Sequence, residues 1–448
     1  KEYIQAKISL SKTLYTLNLT ETKVRALRKL IMKSHQHVAK VIQEDKLKST
    51  VSQRDIHRVF QLLEWFYARN DMKHDLNRPD RLKFSALMAI AFCYYFRLTS
   101  ERRSEFSNVI LGLTTSLWGT GINLTELVNN VMDYFVDQME VPPSIFKNYA
   151  LKQNMFTLMV CIENRIPITL IGPPGCSKTL SLQIVYRNMG RKGFMKTFQQ
   201  IDSIHRYQGS RQSTSEEIEK VCIKALESQL YFDEHKVKKL ALFFFDEAGI
   251  PESEKESLKV LHYYLNNAKF PSVLITNDPL DVAKSNRGIE ILLSKPDEGD
   301  LVKLAEGIIK RHENDNLTPE TIRILEACCK AYKSLINDKT NIDNRKPIRD
   351  WIGMRDFYHL IRFIRRKSTG LSIDITPQLL LQGLERNFNG LKTSTFKKIV
   401  NIFFSECHKV NPAFNPASNL NYRLNLEILK DSLLDINRGQ DLGNLNDT

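Results

Sequence analysis

The stretch "PITLIGPPGCSKTLSLQIV", Pro167–Val185, decides how the chain is read. A short apolar run ends in a turn of glycine and proline, and a helix-forming segment comes next. Strand, loop and helix together match the phosphate-binding pattern G-x-x-x-x-G-K-[ST] at every fixed position but one. Ser177 stands where glycine normally precedes the lysine. The candidate nucleotide-binding segment is Gly172, Pro173, Pro174, Gly175, Cys176, Ser177, Lys178, Thr179 and Leu180. Backbone N–H groups and a helix N-terminus would face the phosphates. Lys178 would reach the β- and γ-phosphates, and the Thr179 hydroxyl would ligate Mg²⁺. The small Ser177 side chain is tolerable provided the backbone there does not need a positive φ.

A second element strengthens the reading. "LALFFFDE" is a buried strand that ends in adjacent acids, Asp246 and Glu247. A strand cap would explain one polar residue, whereas a site explains both. Asp246 would support Mg²⁺, and Glu247 would orient and deprotonate an attacking water. A further strand, "SVLITN", ends in Asn277, which could position that water or touch the γ-phosphate; alone, it reads as a turn residue. Arg287 comes later in "DVAKSNRG", and Arg355 opens a later helix; each by itself reads as a surface arginine.

Around these motifs the chain divides by pattern. Residues 1–118 read as mostly helical, with "SQRDIHRVFQLLEWFY" (52–67) capped by Ser52 and Asp55. The run "FSALMAIAFCYYF" (84–96) is too short to cross a bilayer and reads as a buried helix. "LWGTG" and then Pro142–Pro143 mark breaks. An amphipathic helix over 146–165 precedes five expected strands, at 167–172, 195–201, 239–247, 272–277 and 288–294. Apolar strands alternating with helices indicate a parallel sheet covered on both faces. "VSQRDIHRVFQLLEWF" (51–66) and "IGMRDFYHLIRFIRR" (352–366) share an Arg-Asp opening and an apolar rhythm, which suggests an array of large repeats.

The whole chain sets bounds. Its 448 residues exceed one compact core and suggest two to four domains. It reads as a segment of a longer polypeptide. Seven scattered cysteines, with no C-x-x-C pair, argue against a zinc site and for a reducing, cytoplasmic setting. No signal peptide is visible. The net charge of +14 sits on the flanks, about +7 in 1–150 and about +6 in 301–448, against about +1 between. No basic cluster interleaved with aromatics accompanies it, so no DNA or RNA partner is expected.

The ordered set of motifs resembles the AAA+ ATPases: Walker A, Walker B, sensor 1, arginine finger and a sensor-2 arginine in a helical lid. More closely, the chain is similar to the mysterin-type giant RING-finger ubiquitin ligases, which carry a dynein-like row of AAA+ units. That resemblance rests on "GPPGCSKT", "YQGSRQSTSEEI" (207–218), "FFFDEAGIPE" (243–252), "ESLKVLHYYL" (256–265), "LDVAKSNRGI" (280–289), "GMRDFYHLI" (353–361) and "RNFNGL" (386–391). It implies an α/β fold with a five-stranded parallel sheet between helices, ATP and Mg²⁺ as cofactors, and catalytic roles for Glu247, Asn277, Arg287 and Arg355. Residues 1–143 would be the lid of a preceding unit and a linker, and 144–300 the large α/β subdomain. Residues 301–390 would be the lid, and 391–448 a linker onward. Partners would be neighbouring AAA+ units of the same polypeptide, and, through zinc-bearing modules elsewhere, the ubiquitin machinery with protein or lipid targets. Arg287 would face the neighbouring unit's nucleotide, Arg355 its own, and Arg54 that of the preceding unit. Three rivals stay open: a dynein- or midasin-like remodelling motor, a nucleotide-bound scaffold with negligible turnover, and a nucleic-acid-dependent ATPase.

Overall fold

The computed structural model describes residues 17, 19–45, 51–69, 80–142, 145–191, 194, 198–251, 256–293, 298–310, 317–337, 353–368, 374–388 and 393–415. Sequence features at 143–144, 195–197, 389–392 and 416–448 lie outside them. Five helices come first: α1 (Glu21–Glu44), α2 (Gln53–Ala68), α3 (Arg81–Cys93), α4 (Ser100–Trp118) and α5 (Leu124–Asp137). The α/β part comes next as α6 (Tyr149–Glu163), β1 (Ile168–Ile171), α7 (Lys178–Met189), β2 (Gln200–Gln208), α8 (Ser215–Glu234) and β3 (Lys239–Asp246). It continues through α9 (Leu261–Asn267), β4 (Ser272–Thr276), α10 (Val282–Ser285) and β5 (Ile289–Leu292). Helices α11 (Glu298–Ile309), α12 (Pro319–Asn337), α13 (Met354–Lys367), α14 (Pro377–Phe388) and α15 (Thr393–His408) complete the order.

The five strands form one parallel sheet in the order β2-β3-β4-β1-β5. Strand β3 is buried along seven of its eight residues, which requires cover on both faces. Phe243 and Phe245 pack into one core with Ile218 and Cys222 of α8 and Leu261 of α9. Burial of such side chains contributes about 1.5–3 kcal/mol each.

Two expectations need correcting. The second strand runs over 200–208, not 195–201. It is an edge strand, partly exposed along its length, so its sequence "QIDSIHRYQ" lacks the apolar run that marks a central strand. Helix α6 is buried continuously from Gln153 to Ile162 rather than amphipathic. It packs against α5 and α7 as well as β1 and β4, so no face is left for solvent.

Compactness divides the chain differently from the motif boundaries at 143 and 300. Lys1–Val141 and Tyr149–Lys295 form one unit, and Pro142–Asn148 with Pro296–Thr448 the other. In the first unit the aromatic core runs through the junction, with Phe92 5.2 Å and Phe135 5.3 Å from Phe156 by ring centroids. The second unit is helical, built around Leu325, Phe357, Leu360, Leu380 and Phe403, with Tyr332 stacked on Phe357 at 4.8 Å. No helix among the described residues is long and apolar enough to cross a membrane.

The repeated Arg-Asp opening has a structural basis. In α2 the Ser52 N–H donates to Asp55 Oδ2 at 2.8 Å, and in α13 the Gly353 N–H donates to Asp356 Oδ2 at the same distance. Each aspartate thus satisfies an orphan donor of the first turn, and each arginine sits one residue before it. Asp55 carries a further duty. Its Oδ1 accepts from Arg58 at 2.9 Å and from Arg97 at 3.0 Å, with all three side chains under 10% exposed. Arg58 then donates to the Asn286 carbonyl at 2.9 Å, tying α2 to the turn before β5.

Removing one member of that buried cluster strands the charges of the others. Asp55→Ala should therefore destabilise the first unit by about 3–5 kcal/mol, against roughly 1 kcal/mol for the helix-capping Asp356→Ala. Chemical denaturation of the two variants checks the contrast.

Candidate functional site

In a parallel sheet every strand delivers its C-terminal end to the same edge, and three such ends build the site. After β1, Gly172 donates its N–H to the Thr276 carbonyl of β4 at 3.2 Å. A Cβ on Gly172 would meet Leu293 Cβ at 2.8 Å, so glycine is required by the close approach. Gly175 takes φ +90°, open to glycine at no steric cost. Helix α7 begins at Lys178, and its first N–H groups point into the loop. The loop is also held from behind, because buried Asn154 of α6 donates to the Cys176 carbonyl at 3.2 Å.

Ser177 has φ +54° and ψ +24°, the left-handed region. The condition on which serine was acceptable at this position is therefore not met. The loop needs a positive φ there, and the side chain adds strain that glycine would avoid.

The Lys178 ammonium is 7% exposed as a residue and donates to three oxygens. These are the Gly172 carbonyl at 2.5 Å, the Pro173 carbonyl at 2.9 Å and Asn277 Oδ1 at 3.1 Å. The structure thus brings together Lys178 and Asn277, 99 residues apart in sequence. Thr179 is next to Lys178 in the first turn of α7, half-buried.

At the end of β3, Asp246 is nearly buried and Glu247 exposed. Asp246 Oδ1 accepts the Glu247 N–H at 3.1 Å. Glu247 itself is left-handed at φ +53°, an uncommon conformation for a non-glycine residue that turns it out of the strand direction. Neither acid is free of neighbours: Arg206 donates to Asp246 at 2.9 Å, and Gln208 to Glu247 at 2.8 Å. The sequence reading missed these two residues of β2. Their signal was the polar end of an edge strand, in register with the acidic end of its neighbour.

Arg287 lies elsewhere. Ile168 of β1 pairs with Ile289 of β5, so Arg287 is level with Ile166, at the N-terminal ends of the strands. Gly172 is six residues further along, about 20 Å at ~3.3 Å per residue. Burial, and then repulsion from the charge of Arg54, lower the Arg287 pKa from its usual value. The same environment, burial first and then the cations Arg287, Lys284, Lys259 and Arg54, lowers that of His262. Arg287 Nε is buried without a hydrogen-bond partner among the described residues. Arg355 is exposed in the first turn of α13, in the second compact unit, at the position that Arg54 occupies in α2.

The donor set suits a magnesium–nucleotide pair: one hydroxyl, Thr179, and one carboxylate, Asp246, with the remaining positions left for phosphate and water. Among the described residues no group of three or more His, Cys, Asp or Glu could hold a metal by itself.

A parallel α/β sheet with a lysine-bearing loop after its inner strand β1, paired acids after β3 and a polar side chain after β4 is the fold of an AAA+ P-loop NTPase. Residues 144–300 match the family model of the RNF213 AAA domain, and this part of the chain is an AAA+ unit of the RNF213 type. The chain is 30% identical to the E3 ubiquitin-protein ligase RNF213 of Mus musculus over 372 residues, 76% of this chain and 7% of that protein. With the Homo sapiens protein of the same name the figures are 27% over 421 residues, 87% and 8%. The chain thus spans less than a tenth of the length of these relatives. The solved structure of Rhizobiales Trip13 overlaps it with a TM-score of 0.32 and 14% identity, over 68% of this chain and 93% of that one. That likeness is too distant to carry an argument.

The strain at Ser177 gives a direct test of the loop. Ser177→Gly removes about 1–2 kcal/mol of left-handed strain and adds about 0.5–1 kcal/mol of unfolded-chain entropy. Stability measured by denaturation should rise slightly. Ser177→Val should lower it by about 2 kcal/mol, because a β-branched residue fits a positive φ worst.

Proposed function

We propose that this AAA+ unit binds ATP with Mg²⁺ and hydrolyses it, as part of the motor core of a giant RING-finger ubiquitin ligase. The observation that supports it best is Lys178 reaching Asn277 across the ends of β1 and β4, beside the loop at the N-terminus of α7. The Gly172, Pro173 and Asn277 oxygens that Lys178 reaches are uncharged, and a phosphate would be a stronger partner for its charge than any of these three.

In this reading the N–H groups of the loop and of the first turn of α7 bind the phosphates, and Lys178 neutralises them. Thr179 and Asp246 would hold the magnesium ion, which when bound spreads the charge on the β- and γ-phosphate oxygens. Glu247 accepts the proton of the attacking water, and Asn277 fixes that water's position. Arg287 stands at the far end of the strands, so it would serve a neighbouring unit rather than this loop. Arg54 lies near enough for its charge, after burial, to lower the Arg287 pKa, which supports both facing one anion there. Arg355 would act on this unit's own phosphates from its lid.

Ubiquitin transfer would belong to modules outside this chain, as would protein or lipid targets. A cytoplasmic location goes with the reading and is supported by seven buried cysteines, none of them joined in a disulfide. A binding scaffold with slow turnover is the second reading, favoured by the hold of Gln208 on Glu247.

Lys178→Ala should weaken ATP binding by about 3 kcal/mol, roughly a hundredfold, in calorimetry. Unchanged affinity removes the loop from the site. Glu247→Gln should keep ATP binding and lower phosphate release by about 10²–10⁴-fold. Equal release by the variant and the wild type favours the scaffold when both are slow, and assigns the base elsewhere when both are fast.

A further inference from the structure

The two acids that the proposed reaction needs are both engaged by edge strand β2. Arg206 and Gln208 are two residues apart on that strand and so share a face. Their register partners on β3 are Phe244 and Asp246. Arg206 Nη2 donates to Asp246 Oδ2 at 2.9 Å and to Gln208 Oε1 at 3.2 Å. Gln208 Nε2 donates to Glu247 Oε2 at 2.8 Å. The result is one continuous path, Asp246–Arg206–Gln208–Glu247, in which the carboxamide orients between a cation and a carboxylate. With Oδ1 already accepting the Glu247 N–H, both oxygens of Asp246 are occupied.

Resting on the nucleotide reading above, we propose that Arg206 is a placeholder cation for Asp246. It balances the carboxylate in the place of the divalent ion. Asp246 would exchange Arg206 for the ion when the ion binds with its nucleotide.

Three features bear on this. The Asp246 side chain is 11% exposed, so its charge needs a cation whichever one supplies it. Arg206 is 53% exposed, so it regains water on leaving, and an exposed ion pair is weakly held. Its guanidinium also lies 5.4 Å from the centre of the Phe244 ring, which steadies it in the paired position. The two backbones underneath approach closely. A Cβ on Gly209 would meet the Glu247 carbonyl oxygen at 2.3 Å, and the Gly209 N–H donates to the Asp246 carbonyl at 2.8 Å.

The test is the affinity of the full chain for mant-ATP by fluorescence, in excess Mg²⁺ and in EDTA, for wild type, Arg206→Gln and Arg206→Lys. Removing the placeholder uncovers Asp246, which favours the ion and repels nucleotide that lacks it. The Mg²⁺-to-EDTA affinity ratio should therefore rise roughly tenfold in Arg206→Gln, and Arg206→Lys, which keeps the charge, should stay within about twofold of wild type. An unchanged ratio in Arg206→Gln overturns the proposal, as does equal weakening in both media, the signature of a residue that only props Asp246 in place. Wild type that binds mant-ATP in neither medium removes the nucleotide reading itself, and the placeholder role with it.

Discussion

The parallel direction of the five strands is the constraint on which the site depends. Hydrogen bonding between β1 and β4 sets Ile171 opposite Thr276, so the loop leaving one strand meets the loop leaving the other. Lys178 and Asn277 meet for that reason and no local one. The same direction carries the acids of β3 to that edge and leaves Arg287, which precedes β5, at the other. A reversed β3 would strand Asp246 and Glu247 among the N-terminal ends.

What the sequence made legible was whatever burial writes into it. Strands β1, β3, β4 and β5 are inner or well-covered, and their apolar runs placed them within a residue or two. Strand β2 was displaced because an edge strand need not be apolar, and its function-bearing residues, Arg206 and Gln208, are polar for the same reason. Helix α6 looked amphipathic because Gln153, Asn154 and Thr157 are polar, yet each is buried and finds partners inside. Backbone conformation was the least legible. Nothing in "GPPGCSKT" states that Ser177 must be left-handed, because φ belongs to the loop's path and not to the residue type.

The two helices opened by Arg-Asp show how one local device can be used at different depths. In α13 the aspartate accepts the Gly353 N–H and caps its helix. In α2 the same capping carboxylate is sunk beside Arg58 and Arg97, and one of its oxygens anchors contacts that reach the turn before β5. A cap common to both positions has been extended into a tertiary joint at one of them.

The first compact unit joins Lys1–Val141 to Tyr149–Lys295, while the matched AAA domain starts at 144. Heredity and folding are therefore counted from different starting points along this polypeptide. A gene fragment trimmed to the homologous domain would encode Phe156 without Phe92 and Phe135, and the turn before β5 without Arg58. A polypeptide cut at that boundary would expose the apolar surfaces that those earlier helices cover. Any excision or transplantation of this segment would be tolerated only at joints that keep those two parts together, which makes the folding boundary, and not the homology boundary, the rule for where it can be cut.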